Sequence, residues 1–360
     1  MKRYFNTYYI KNGLIISIFL SLPLYLIHFG IDNKALNSIL IIVGIYIFYK
    51  NDVKSYPWVG FWVSIFWLWW ISLSFRYYDL SFIIPFVIIA IGLFYWIIFY
   101  LLTFLRYKIL IILFFLFGLS FIKPFGFDWF RYDVLFPHTY FYIQNKAIPP
   151  APLKIKTIHT KIAQNKKWNK NFIPIEIKNN FKYINEAIKN GYDVVILPET
   201  AFPLPLDRYK EILKKLQNLS QKITIITGAL SYQNNTYYNS TYLFQNGNFK
   251  IYNKHILVPF GEYIPISCCK KIINKIFFNG ASDYQASSTF STYTIKGISF
   301  LNAICYEVTN EKLYLQKPKY IIAMSNNAWF YPSIEETLQK LLIEFYSKKY
   351  NKYVYHSINY

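Results

Sequence analysis

The chain has 360 residues, of which 54% are apolar and 21% aromatic, and it carries a formal charge of +21. That much apolar content, concentrated in the first 125 residues, excludes a single ordinary globular domain and points to a membrane half followed by a globular half. Lysines and arginines are scattered rather than gathered into a basic stripe interleaved with aromatics, which argues against nucleic acid as partner. The excess charge fits either compositional drift towards Lys or attraction to an anionic lipid surface.

Apolar stretches occupy 14–31, 36–49, 57–75, 81–105 and 109–122. A helix needs about 20 residues to cross the hydrocarbon core, so the second and fifth are short. No small-residue cleavage site follows the first, which excludes a removable signal peptide. Lys2, Arg3 and Lys11 precede the first span, Lys50 and Lys54 follow the second, and Arg106 and Lys108 follow the fourth. The opposite loops carry mainly Lys34 and Arg76. This alternation predicts a cytoplasmic N-terminus and, after five spans, an exterior location for everything beyond Lys123. The segment "KPFGFDWF" at 123–130 reads as the exit from the membrane. The expected organisation is therefore a helical membrane domain over 1–125, a linker over 126–150 and an exterior globular domain over 151–360.

In the globular half, "IKTIHT", "DVVILPE", "ITIITGAL", "ISFLNAIC" and "YIIAMSNN" are short apolar runs suited to strands covered on both faces. The stretch "FIPIEIKNNFKYINEAIKNG" reads as a helix closed by Gly191, and "RYKEILKKLQNLS" as another. Alternating strands and helices predict an α/β layered domain, in which reactive groups gather after strand ends. Glu199 closes one run, Cys305 another, and Ser325, Asn326 and Asn327 a third. A hairpin turning at Asn246 and Gly247 leads into Lys254 and Glu262.

Three cysteines make no disulfide framework, and no Cys or His spacing suggests a metal. A nucleophilic cysteine needs a lowered pKa or a neighbouring base. None of the five histidines shares a loop with Cys305, and His255 should point to the face opposite Lys254. A carboxylate such as Glu199 can replace histidine as base, and Lys254 can stabilise an oxyanion. Each residue also has a plainer reading: Cys305 as packing, Glu199 as a helix-start carboxylate, Lys254 as a solvated strand residue. Cys268 and Cys269 read as incidental or packing residues.

The segments "VVILPETAFP", "YYNSTYLFQNGNFKIYNKHILVPFGEYIP", "FLNAICYE" and "MSNNAWF" occur in the order and near the spacing of apolipoprotein N-acyltransferases, and the chain resembles that family from the first span to about Trp329. The segment "KIAQNKKW" is similar to the family's opening strand and loop. The resemblance implies a polytopic α-helical membrane domain plus an α/β nitrilase-type αββα sandwich domain in the periplasm of a bacterial inner membrane. It implies Glu199 as general base, Lys254 as oxyanion stabiliser and Cys305 as nucleophile. It further implies Glu262, Tyr306, Glu307 and Asn239 as supporting residues, and Trp168 and Trp329 near substrate. The implied reaction is ping-pong: a phospholipid donates an acyl chain to Cys305, and the α-amine of a diacylated apolipoprotein accepts it, without metal or organic cofactor. The text after Phe330 departs from the family's Gly and His- and Arg-rich helix, and the chain stops at Tyr360, inside an expected strand. The expected alternatives are a membrane-tethered amidase, or an inactive C-terminally truncated member of the family.

Overall fold

A computed structural model describes residues 4–142, 148–265, 270, 274–275 and 283–360. The chain divides into two compact units, Met1–Gln144 with Pro332–Phe345, and Asn145–Tyr331 with Tyr346–Tyr360.

The N-terminal unit contains α1 (Thr7–His28), α2 (Lys34–Lys50), α3 (Tyr56–Leu68), α4 (Ile84–Leu102) and α5 (Lys108–Leu113). All five expected apolar stretches are helical, but among the described residues three helical segments are long and apolar enough to cross a membrane: Thr7–His28, Val53–Tyr78 and Ser81–Leu102. The first starts well before the apolar run, because Asn6 caps the Tyr8 N–H at 2.9 Å and the polar first turns continue the helix. The second of the three changes from α to 3-10 geometry at Trp69. Lys34–Lys50 has 17 residues, and Lys108–Phe121 passes through a π turn at Phe114–Gly118.

The expected bare linker after residue 125 is instead part of this unit's core. Trp129, Phe130, Tyr132, Val134 and Leu135 are buried, and the Tyr132 hydroxyl donates to the Leu20 carbonyl at 2.9 Å. The segment is nearly as aromatic as the helices, so burying it is favourable. Pro332–Phe345 also clusters here, with Thr337 Oγ1 2.8 Å from His28 Nδ1.

The second unit is built on two sheets. The first contains β1 (Ile155–Thr157), β3 (Val194–Ile196), β5 (Thr224–Gln233), β6 (Thr236–Gln245) and β7 (Asn248–Asn253) in the order β1-β3-β5-β6-β7, with β4 (Phe202–Pro205) pairing β5. The second contains β2 (His159–Thr160), β8 (Thr292–Ile295), β9 (Ile298–Ile304), β10 (Tyr320–Asn326) and β11 (Tyr353–Asn359) in the order β2-β11-β10-β9-β8. One correction concerns "IKTIHT": it is two strands, one in each sheet, with the crossing at Ile158. The segment "KIAQNKKW", expected to open as a strand, forms a short helix, α6 (Gln164–Lys167).

The sheets meet face to face. Val194, Ile196, Ile226 and Leu243 from one pack with Ile295, Phe300, Ile304, Ile322 and Met324 from the other. The alternate residues Val195 and Ile225 turn outward to join Ile184, Leu213 and Leu216 of α7 (Ile173–Lys189) and α8 (Lys210–Leu219). Leu301, Ala303, Ile321 and Ala323 alternate with the inward set of β9 and β10 and are fully buried too. Strands covered on both faces explain the continuous apolar runs. The predicted hairpin turn is present, with Asn246 at φ 52° and Gly247 at φ 77°.

The C-terminal segment, expected to stop inside a strand, forms β11. β11 pairs with β10 at all seven positions from Tyr353 to Asn359 and with β2 at Ile358 and Asn359.

Candidate active site

Parallel pairing brings the C-terminal ends of β3 and β9 to the loops where Glu199 and Cys305 lie. Glu199 follows β3 by three residues and is 7% exposed. Its loop turns sharply: Thr200 has φ 47°, and Gly228 of β5 lies beneath it. A Cβ at Gly228 would fall 2.5 Å from the Thr200 nitrogen and 2.7 Å from the Glu199 Cα, so only glycine fits. Cys305 follows β9 directly and has φ 52°, a left-handed conformation uncommon for a residue other than glycine. Such a turn lifts a side chain out of the strand's alternation, and Cys305 is correspondingly half-buried where the five β9 residues before it are buried.

Lys254 follows β7 and its side chain is fully buried, 2.8 Å from Glu262 Oε2. Asn239 on β6 donates through Nδ2 to Glu199 Oε1 at 2.7 Å and to Glu262 Oε1 at 2.8 Å. Glu262 Oε2 also accepts the Val258 N–H at 2.8 Å, which fixes the carboxylate from the loop side. One amide thus joins two carboxylates, one of which pairs with the Lys254 ammonium.

The proton affinities follow from burial and these neighbours. Burial pushes Glu199 above the ordinary carboxylate range; Lys254 and the Asn239 hydrogen bond oppose the shift, and Glu262 adds to it. Burial alone would lower Lys254, but the negative charges of Glu262, Cys305 and Glu199 outweigh it and hold its proton. The balance favours the charged form of Lys254.

Glu307 lies in the 3-10 turn Cys305–Thr309 and is 1% exposed. Its Oε1 accepts the N–H groups of His255 at 2.7 Å and Ile256 at 3.0 Å, and its Oε2 that of Ile304 at 2.7 Å. Burial raises its pKa, against Lys254 and these three N–H groups. Glu307 binds the Lys254 loop to the Cys305 turn. Tyr306 is buried beside it, its carbonyl accepting the Thr309 hydroxyl at 2.8 Å.

As expected, His255 turns away: its Nδ1 is 2.7 Å from the Ser287 carbonyl oxygen and its ring packs on Phe290. Trp168 is 40% exposed and directly follows Lys167, while Trp329 ends the turn after β10, the neighbour of β9. Asn326 donates to Gln164 Oε1 and Asn359 Nδ2 to Asn326 Oδ1, so Asn326 braces the sheet's end. Cys268 and Cys269 lie outside the described residues.

Two buried residues had no sequence signal. Lys167, in a Lys-Lys pair that resembles a solvated surface, is 1% exposed and donates to the Glu199 carbonyl at 3.1 Å. Asn180 of α7 donates to the Ala201 carbonyl at 2.7 Å.

Residues 7–174 match the family described as the apolipoprotein N-acyltransferase integral membrane domain, and residues 177–359 match carbon-nitrogen hydrolase. The chain is 36% identical to the apolipoprotein N-acyltransferase of Wolinella succinogenes, over 95% of this chain and 92% of that one. The chain belongs to the apolipoprotein N-acyltransferase family. It is 37% identical to the Campylobacter jejuni member, over 96% of this chain and 86% of that one. For the Helicobacter hepaticus member the identity is 36%, over 84% and 86%. As a family member the chain is a membrane acyltransferase with a carbon-nitrogen hydrolase catalytic domain, and its soluble half has the nitrilase-type α/β fold.

Proposed function

We propose that this chain N-acylates the α-amine of a diacylglyceryl-cysteine apolipoprotein, with a phospholipid as acyl donor and Cys305 as covalent carrier. Family membership supports the reaction class, and the single observation supporting the chemistry is Lys254, buried and charged between Glu199, Glu262 and Cys305.

Glu199 takes the Cys305 proton as sulfur attacks the ester carbonyl, and the Lys254 ammonium stabilises the oxyanion that forms. Collapse breaks the ester C–O bond, and the proton returns from Glu199 to the departing lysophospholipid alkoxide. The acyl chain now sits on Cys305 as a thioester. The acceptor amine attacks, Glu199 removes its proton, and the amide forms as the thiolate leaves. Asn239 and Glu262 hold Glu199 and Lys254 in register; Glu307 and Tyr306 hold the turn that presents Cys305. Trp168 and Trp329 are proposed to contact the lipid substrates. Burial of Glu199 and Lys254 keeps bulk water from the base, as a thioester intermediate requires. The alternation of loop charges supports a bacterial inner-membrane location with a cytoplasmic N-terminus and a periplasmic catalytic unit.

The test is incubation of membranes containing the protein with a phospholipid and a diacylated lipopeptide, followed by mass spectrometry. Triacylated product from the native chain, and none from Cys305→Ala, is expected. No product from the native chain overturns the reaction, and product from Cys305→Ala overturns the mechanism.

A further inference from the structure

Two further buried charges lie behind Glu199. Lys167 and Glu176 are each 1% exposed and stand 3.9 Å apart. Lys167 comes from α6 and Glu176 from the first turn of α7. Neither Glu176 oxygen has a hydrogen-bond partner among the described residues. A buried pair this poorly satisfied costs stability, because isolated carboxylates and ammoniums are expensive to desolvate. Two apolar side chains would stabilise the fold better, so the pair calls for a role other than stability.

Its direction shows what that role is. Lys167 Nζ donates to the main-chain carbonyl of Glu199, at the turn where Thr200 adopts φ 47°. One helical turn beyond Glu176, Asn180 donates to the carbonyl of Ala201. The loop carrying the carboxylate is therefore held on two successive carbonyls by α6 and α7.

We propose that Lys167, paired with Glu176, is a positioning residue for the reaction: its bond to the Glu199 carbonyl fixes the loop that carries this carboxylate. This rests on Glu199 being the base, as proposed above. The charged groups facing Glu199 are Lys254, Glu262 and Lys167, and Glu176 faces Lys167. Burial lowers Lys167, and the negative charges of Glu176 and Glu199 oppose that. Burial raises Glu176 to about 7, against the pull of Lys167. The cation acts directly on Glu199, whereas Glu176 is not among the groups that shift it. Removing both charges together therefore leaves Glu199 harder to ionise.

The test compares the full-length native chain with Lys167→Gln, which keeps a donor without charge, and Lys167→Met with Glu176→Leu, which leaves no lone buried charge. Thermal unfolding identifies which variants fold. In folded variants kcat should fall about tenfold or more with KM for both lipids unchanged, and the acid limb of the pH profile should move up by about one unit. In parallel, iodoacetamide alkylation of Cys305 is followed against pH by peptide mass spectrometry, and its midpoint should move up as well. A folded variant with native kcat and a native acid limb overturns the proposal. If the native chain makes no triacylated product, the reaction assigned above falls, and the alkylation curves alone decide: displaced curves uphold the role of Lys167, and superimposed curves end it.

Discussion

The carboxylate of Glu307, in the turn that begins at Cys305, accepts the N–H of His255, the residue after Lys254, at 2.7 Å. A side chain two residues past Cys305 thus fixes the loop that bears Lys254. With Ile256 and Ile304 it takes three N–H groups, and only a full carboxylate has acceptors on both arms. Glu307→Gln turns one arm into a donor facing a donor. The expected result is a folded protein less stable by about 1–3 kcal/mol, with product formation reduced at least tenfold. Denaturant unfolding and the lipopeptide assay check it; unchanged turnover would remove Glu307 from the machinery.

Withholding the acceptor should trap the carrier. The native chain incubated with phospholipid alone should show one acyl chain on the Cys305 peptide, released by neutral hydroxylamine as a thioester is. Glu199→Gln should accumulate none, because the thiol keeps its proton. Acyl groups found on any other residue would contradict the assignment.

Asn239→Ala removes the donor to Glu199 Oε1, one of the groups that oppose the effect of burial, and leaves Lys254 and Lys167 to oppose burial and Glu262. With that donor gone, the Glu199 carboxyl ionises at higher pH than in the native chain. The acid limb of kcat/KM should move upward by about 1–2 units, the equivalent of one charge-assisted hydrogen bond. The linkage to stability has the opposite sense. A carboxyl whose folded pKa is raised binds its proton more tightly in the folded state, so its contribution is present at low pH and lost as pH rises through the folded value. A pH series of activity and unfolding on the same samples separates the two effects, and an acid limb that stays in place removes Asn239 as a partner of the base.

Gly228→Ala tests the floor of the site. Its Cβ meets main chain, at 2.5 Å from the Thr200 nitrogen, and main chain does not rotate aside. A stability loss of about 1–3 kcal/mol is expected, as for other overpacked positions. Turnover should fall further than stability alone accounts for, since the displaced loop carries Glu199. A variant with native melting temperature and native turnover would show that the loop yields without cost.

Much of this was legible in the sequence for physical reasons. Strands buried on both faces leave continuous apolar runs, and "DVVILPE" and "ISFLNAIC" end in Glu199 and Cys305. Asn-Gly at the hairpin, with positive φ at both residues, is written in residue type. The break at Ile158 was not legible, because both halves of "IKTIHT" have strand character and only tertiary pairing assigns them to different sheets. The packing of Trp129 and Tyr132 in the first unit was masked by the Pro and Gly just before them, which signal a turn but not where the chain goes next. Lys167 was hidden because a lysine's ordinary place is solvent, and its burial depends on Glu176 and the Glu199 carbonyl, distant in sequence.

The crossing at Ile158 has a mechanical consequence. Its N–H donates to the Ile196 carbonyl of β3, the strand that precedes Glu199, and its carbonyl accepts the Ser357 hydroxyl in the sheet that holds β9, the strand that precedes Cys305. A single residue is thereby stitched to both halves of the sandwich. Sliding one sheet past the other would have to tear this stitch before it could move the Glu199 loop away from the Cys305 turn, so the register of the two sheets is gauged by one amino acid at the crossing.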